Sequence, residues 1–103
     1  MRLRNIGKQY ATVAASQTTQ ALSSTGATGD YLSHLLIVPA TTSPGAVAIK
    51  DGSGTAITVF AGGAGSVLDL RPQILAVDAN SRIGGWQITT GANVSVVALG
   101  QFS

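Results

Sequence analysis

The residues most suggestive of chemistry lie between positions 43 and 66, SPGAVAIKDGSGTAITVFAGGAGS, a stretch with six glycines and a single lysine. A phosphate-binding P-loop needs G-x-x-x-x-G-K-[ST] leading into a helix, so that backbone N–H groups and the lysine converge on the phosphates. Here Lys50 precedes its glycines, and the alternating residues after them predict a strand. Neither GSG nor GGAG has the spacing of a dinucleotide-binding fingerprint. The segment KDGSGT instead predicts a tight hairpin turn, because its glycines tolerate positive φ.

The single histidine and the four aspartates are the remaining candidates for acid–base chemistry. A general base needs an orienting partner and a nucleophile within reach. Strand alternation places His34 on an apolar face, which favours a core or interface residue. That face is predicted to hold His34 with Leu32, Leu36 and Val38. The aspartates fall singly at turns or strand ends, where this side chain bonds to local backbone; they are Asp30, Asp51, Asp69 and Asp78. The chain is therefore interpreted as non-enzymatic, without a catalytic residue, metal ligand or cofactor.

Trp86 is the only tryptophan and follows two glycines. An exposed tryptophan in a carbohydrate-binding module stacks on a sugar ring, whereas in a small sandwich a lone tryptophan more often fills the core. The core position is favoured for Trp86. Phe60 and Phe102 are predicted to pack internally or at an interface. A carbohydrate-binding β-sandwich module that uses Trp86 stays open as an alternative function.

Short apolar segments separated by turn residues follow one another along most of the chain. The predicted strands cover residues 31–38, 46–50, 55–61, 66–72, 74–77, 83–90 and 94–102, with weaker ones at Val13 and within 17–22. Strands at 8 to 12 residue spacing are typical of an antiparallel β-sandwich or jelly roll. We therefore predict an all-β fold, an antiparallel β-sandwich of about seven to eight short strands, jelly-roll-like. A basic arm over residues 1–9 precedes this single domain of residues 10–103.

The composition of the chain limits the classes of molecule that it is expected to bind. Charged residues make up 10% of the 103 positions, glutamate is absent, and serine and threonine together number 21. Such low charge, with a core of small residues, is expected either of a chain whose surface partly meets other protein or of a small soluble domain covered by serine and threonine. The net charge of +2 and scattered basic residues argue against nucleic-acid binding. Zero cysteines exclude a disulfide framework, and no apolar segment predicts a secretory signal or membrane span, so we expect synthesis in the cytoplasm.

Two segments resemble small structural proteins of tailed-bacteriophage virions: GDYLSHLLIVPATTSPGAVAIKDGSGTAITVF and GGWQITTGANVSVVALGQF. The similarity runs from about Tyr10 to the C-terminus, and its most specific element is a tryptophan strand, TTGANV and an apolar strand ending G-x-F. The resemblance implies a head decoration or cement protein on the capsid surface of the virion. Such a protein binds the major capsid protein, often as a homotrimer at local three-fold positions. A tail or fibre-base adaptor is the alternative within the virion.

The N-terminal arm is the candidate segment for binding the capsid. It carries Arg2, Arg4 and Lys8, and a basic arm can become ordered when it binds an acidic groove. The resemblance itself supplies no residue-level binding motif. A frayed tail is the other interpretation of the same residues.

Overall fold

The computed structural model describes residues 9–102, which form an antiparallel β-sandwich without helix. Its strands are β1 (Gln9–Val13), β2 (Gln20–Ala21), β3 (Tyr31–Pro39), β4 (Val47–Asp51), β5 (Ile57–Phe60), β6 (Gln73–Asn80), β7 (Trp86–Thr90) and β8 (Val94–Gln101). Sheet A has the order β1-β8-β3-β6, and sheet B has the order β2-β7-β4-β5. The predicted all-β sandwich is confirmed.

The strand order is that of a jelly roll. The pairs β1·β8, β2·β7, β3·β6 and β4·β5 are all antiparallel, so the chain forms one long ribbon that reverses at the β4–β5 turn. Pairing of β8 with β3, and of β7 with β4, folds this ribbon into two sheets. At the reversal, the Gly54 N–H donates to the Asp51 carbonyl over 2.8 Å. The hairpin predicted from KDGSGT is therefore the tip of the whole ribbon.

The core lies between the two sheets and is built from alternate residues of their strands. β7 and β8 alternate strictly between buried and half-buried positions, as the period of a strand requires. Trp86 is only 5% exposed, and its indole Nε1–H donates to the Asp30 carbonyl over 3.0 Å. Phe60 and Phe102 are half-buried against the same core. The structure thus confirms that Trp86 is a core residue.

A β-bulge in β3 changes which residues share a face. The pairing of β3 with both neighbours shifts between Leu32 and His34. Because a bulge adds one residue to one strand, side chains beyond it move to the opposite face. Leu32 is fully buried in the core, whereas His34, Leu36 and Val38 lie on the outer face of sheet A. The prediction that Leu32 shares a face with His34 was wrong for this reason.

A second bulge affects β5. Strict alternation predicts Phe60 on the face opposite Val59. The register of β4 with β5 shifts between Val47 and Ala48, and both Val59 and Phe60 pack against the core. This edge strand therefore contributes two adjacent side chains to the interior.

Residues 66–72 form a loop rather than the predicted strand. Their alternating pattern has no neighbouring strand to pair with. The Arg71 N–H donates to the Asp69 carboxylate over 3.2 Å, a local turn bond, and Leu68 is 99% exposed. β6 is correspondingly longer than predicted, Gln73–Asn80, and β7 begins at Trp86. β1 starts at Gln9, the last residue of the predicted arm.

Candidate functional site

The outer face of sheet A is mainly aliphatic across β8, β3 and β6, and β1 adds Tyr10 and Thr12 to it. Its register places Tyr10, Leu99, His34 and Ala76 in one cross-strand row. The next row contains Thr12, Val97, Leu36 and Ile74. Val38 and Ser95 continue the face beyond these rows. The central strand β3 is therefore apolar on both sides, although one of those sides faces outward.

A groove of about 310 Å³ lies on this face. It is lined by His34, Leu36, Ile74 and Leu99, so a single polar side chain accompanies three aliphatic ones. Ile74 is 74% exposed, which leaves much of the groove wall in contact with solvent. Pockets that bind an apolar group commonly combine such a lining with few polar residues that fix orientation.

The polar residues beside the groove form a hydrogen-bonded chain across the β3 bulge. Ser33 Oγ lies 2.5 Å from His34 Nδ1, and the Tyr31 hydroxyl donates to the Asp78 carboxylate. The bond to Asp78 raises the pKa of the Tyr31 phenol, while a bond to Ser33 opposes that shift. Asp78 itself has a φ of 56°, so the carboxylate is presented from a left-handed residue.

This arrangement fixes side chains rather than presenting a nucleophile. Ser33 is only 1% exposed, so its hydroxyl is shielded from any substrate. The carboxylate of Asp78 accepts a hydrogen bond from the Tyr31 hydroxyl, and the His34 ring is held by Ser33. A serine nucleophile requires an accessible Oγ with a base that is itself oriented by a third group. The network instead holds the His34 imidazole at the rim of the groove.

The outer face of sheet B has the opposite character. Its outward residues on the two central strands are Ala48, Lys50, Gln87 and Thr89, and Lys50 lies beside Gln87 in the register. Thr89 Oγ1 accepts a hydrogen bond from the Thr19 N–H over 2.9 Å. One outer face of the sandwich is thus polar and the other apolar.

The predicted site residues are distributed as follows. Arg2, Arg4 and Lys8 lie outside the described residues. His34 is on the outer face of sheet A and not in the core, so a role at an interface stays a prediction, and Trp86 is in the core. Among residues 9–102, no group of three or more histidines, cysteines or acidic residues is arranged to hold a metal ion. No helix within that range is long and apolar enough to cross a membrane.

Sequence reasoning missed Ile74 and Leu99 as members of one groove. The sequence held one indication of this groove, the segment LLIV at residues 35–38. A strand that is apolar at every position places apolar side chains on both faces of its sheet, so an apolar outer face could be expected there. Only the register shows which residues of neighbouring strands extend that second face.

Comparison with protein-family models, curated proteins and solved structures finds no match to this chain. The geometry of its surfaces is therefore the basis on which a function is proposed.

Proposed function

We propose that this chain is a non-enzymatic structural protein of a tailed-phage virion, a decoration or cement protein that binds the major capsid protein. The observation that carries the proposal is the apolar outer face of sheet A, opposite a polar outer face on sheet B. Large contiguous apolar patches on soluble domains mark contacts with other molecules. Aliphatic residues in register across β8, β3 and β6 form such a patch.

The fold supports the same proposal at the level of analogy. Two-sheet jelly rolls recur in viral capsid and lectin domains. A fold alone does not establish a function, because unrelated activities use the same architecture. Here it agrees with the resemblance of the sequence to phage structural proteins and with a surface that carries few charges.

The carbohydrate-binding alternative depended on Trp86. With 5% of its surface exposed and its Nε1–H bonded to the Asp30 carbonyl, the indole has no face available for stacking on a sugar. The tryptophan contributes to the packing of the two sheets instead.

The direct test is binding to capsids that were assembled without this protein, from the phage that encodes it. We expect the purified chain to bind them and to raise the temperature at which they lose their contents. Leu36→Lys places a charge at the centre of the apolar face and should weaken binding by about tenfold or more, because a desolvated lone charge is costly. Ala48→Lys is the matched control, since Ala48 is half-buried at the equivalent place on sheet B.

Absence of binding to capsids, or binding to tails alone, would contradict the assignment to the head. Equal losses from the Leu36 and Ala48 substitutions would contradict the role of sheet A.

Removal of residues 1–8 tests the arm separately. We expect it to weaken capsid binding while the domain keeps its melting temperature, because β1 begins at Gln9. Unchanged affinity would exclude the arm from the interface.

A further inference from the structure

One side of the sandwich concentrates exposed apolar side chains. The two sheets pack face to face, and strands at the same place in the two strand orders lie one above the other. β6 is the last strand of sheet A and β5 is the last strand of sheet B, so these two strands form one side of the sandwich together. Four of the six large exposed hydrophobic residues belong to β5, β6 or the loop between them. They are Ile57 at 54% exposure, Leu68 at 99%, Leu70 at 52% and Ile74 at 74%. We call this set, with the backbone of β6, the β5–β6 edge.

β6 is the longest edge strand of the described residues; its first four residues pair with β3 without a bulge, and its first five residues carry no charge. Within the described residues it pairs with β3 alone, so its other side leaves backbone N–H and C=O groups without a strand partner. Proteins usually protect such edges with short strands, lysines, prolines or bulges. The other edge strands of the sandwich are short: β2 has two residues, β5 has four and β1 has five. β6 has eight residues, and none of them is basic. Its extended backbone is first interrupted at Asp78, which has a φ of 56°.

The regular part of β6 is complementary to itself. It covers residues 73–77, QILAV, an uncharged segment whose centre is Leu75. In an antiparallel pair of two copies centred there, Leu75 lies opposite Leu75 on the core side, and Ile74 lies beside Ala76 on the outer side. Apolar cross-strand pairs of this kind stabilise a sheet. Because outward-facing Ile74 lies beside outward-facing Ala76, the outer faces of both copies stay on the same side of the joined sheet.

Charge and area agree with a second copy as the occupant. The charges in the adjoining loop already neutralise one another, since Arg71 Nε lies 3.3 Å from the Asp69 carboxylate. The five paired residues span about 17 Å, and two stacked sheets with their side chains are roughly 20 Å thick. Pairing of these strands would then bury on the order of 700 Å² in total, and the exposed Leu68 and Leu70 at the same edge add to it, as expected of a weak dimer whose population depends on concentration.

We infer that two copies of this chain pair through the β5–β6 edge, with β6 strands antiparallel about a two-fold axis through Leu75. The pairing joins the two copies of sheet A into one eight-stranded sheet and places Ile74 of each copy beside Ala76 of the other. It gives a closed two-fold dimer rather than the three-fold ring that the sequence resemblance implies. The inference rests on pairing through the edge strand β6, whereas capsid binding is proposed for the outer face of sheet A. The two proposals are tested by different assays, so either can fail without the other.

The first experiment is sedimentation of the full chain over a range of concentrations. The wild type should approach twice the 10.3 kDa chain mass with rising concentration. Ile74→Lys should weaken dimerisation by about tenfold or more, since a lysine on an edge strand opposes pairing. Tyr10→Lys is the matched control, because Tyr10 is 72% exposed on the opposite edge of the same sheet, and it should leave the dimer intact. A wild-type monomer at all concentrations, a trimer, or equal effects of the two substitutions would overturn the inference.

A cross-linking experiment tests the register and does not depend on how a lysine is tolerated. The chain has no cysteine, so a single Leu75→Cys substitution can form a disulfide only between copies. Directly opposed residues of antiparallel strands bring their Cβ atoms to about 4.5–5.5 Å, roughly 1 Å beyond the usual 3.5–4.5 Å of a disulfide, so a small movement of the strands closes the bond. We expect Leu75→Cys to give a covalent dimer much faster than Tyr10→Cys. Equal rates would overturn the two-fold arrangement.

Discussion

Asp51 is the residue on which the loop before β7 depends. Its carboxylate accepts hydrogen bonds from the backbone N–H groups of Arg82, Ile83 and Gly84, at 2.8, 3.1 and 3.2 Å. Desolvation opposes ionisation of this carboxyl, but the three backbone bonds and the nearby Arg82 charge outweigh it and lower the pKa of Asp51. A single side chain thus joins the tip of the ribbon to the loop after β6.

Asp51→Asn should destabilise the fold at neutral pH. The amide keeps one acceptor oxygen and directs an N–H₂ group toward backbone donors, which should cost about 1–3 kcal/mol in the free energy of unfolding. Because the folded pKa lies below the unfolded value of about 3.9, the contribution of Asp51 is complete above that value. It is lost as the pH falls through the folded pKa. Denaturant titrations over a series of pH values should therefore show a difference between the two proteins that is largest near pH 7 and narrows as the pH falls below about 3.9.

Asp69→Asn is the control for this prediction. Asp69 is an aspartate in a surface ion pair whose carboxylate side is 61% exposed. Exposed pairs of this kind contribute little, so the substitution should change stability by less than about 1 kcal/mol. A cost at Asp51 no larger than that at Asp69 would contradict the role of the three backbone bonds.

At the scale of the elements, pairs of glycines allow loops to touch at both ends of sheet B. A methyl group at Gly45 would lie 2.7 Å from the Gly91 Cα, and one at Gly52 would lie 2.6 Å from the Gly84 N. The backbone bonds Gly45 N–H to Ala92 O and Gly52 N–H to Gly85 O, at 2.8 and 2.9 Å, use this close approach. The glycine-rich stretch therefore positions loops against one another and does not surround a ligand.

Gly52→Ala should be markedly destabilising. The residue has a φ of 55°, which costs an L-residue about 1–2 kcal/mol, and its Cβ would also meet the backbone of Gly84. We expect a loss above about 3 kcal/mol in chemical denaturation. Gly65→Ala is the matched control, because its φ is 64° but nothing lies within 4 Å of an added Cβ. If both variants lost the same stability, strain in φ alone would explain the result.

Sequence periodicity predicted the strands but not the faces of all their residues. The stretch around Tyr31–Pro39 was placed correctly because its apolar run leaves little alternative, and the β4–β5 hairpin was placed by its turn residues. The bulge at Ser33 and the one at Val59 leave no mark on composition, because a bulge depends on pairing with a distant strand. Loop residues 66–72 alternate like a strand and lack only a neighbour. The groove could not be predicted for the same reason, since its members come from three strands.

At the scale of the whole molecule, the ribbon joins parts of the chain that are far apart in sequence. β1 pairs with β8, and the Phe102 N–H donates to the Gln9 side chain over 2.6 Å. Because each such pair closes a long loop before it gains contacts, folds of this kind form slowly. Among the strand pairs of residues 9–102, the β4–β5 hairpin at the tip is the one that is local in sequence.

Refolding should therefore take between about 1 ms and 1 s. Trp86 provides the signal, because its indole becomes buried only when the two sheets pack together. Stopped-flow fluorescence at low protein concentration would measure the rate before association contributes. Refolding within microseconds would contradict a transition state that depends on distant strand pairs.

The unequal outer faces also determine how the molecule can be oriented in an assembly. Lys50, Gln87 and Thr89 remain hydrated when sheet B faces water, whereas Leu36, Val97 and Leu99 lose unfavourable hydration when sheet A is covered. Covering sheet A therefore removes more apolar surface from water than covering sheet B would. On a flat partner surface, every copy would then lie the same way up, with sheet B facing the solvent.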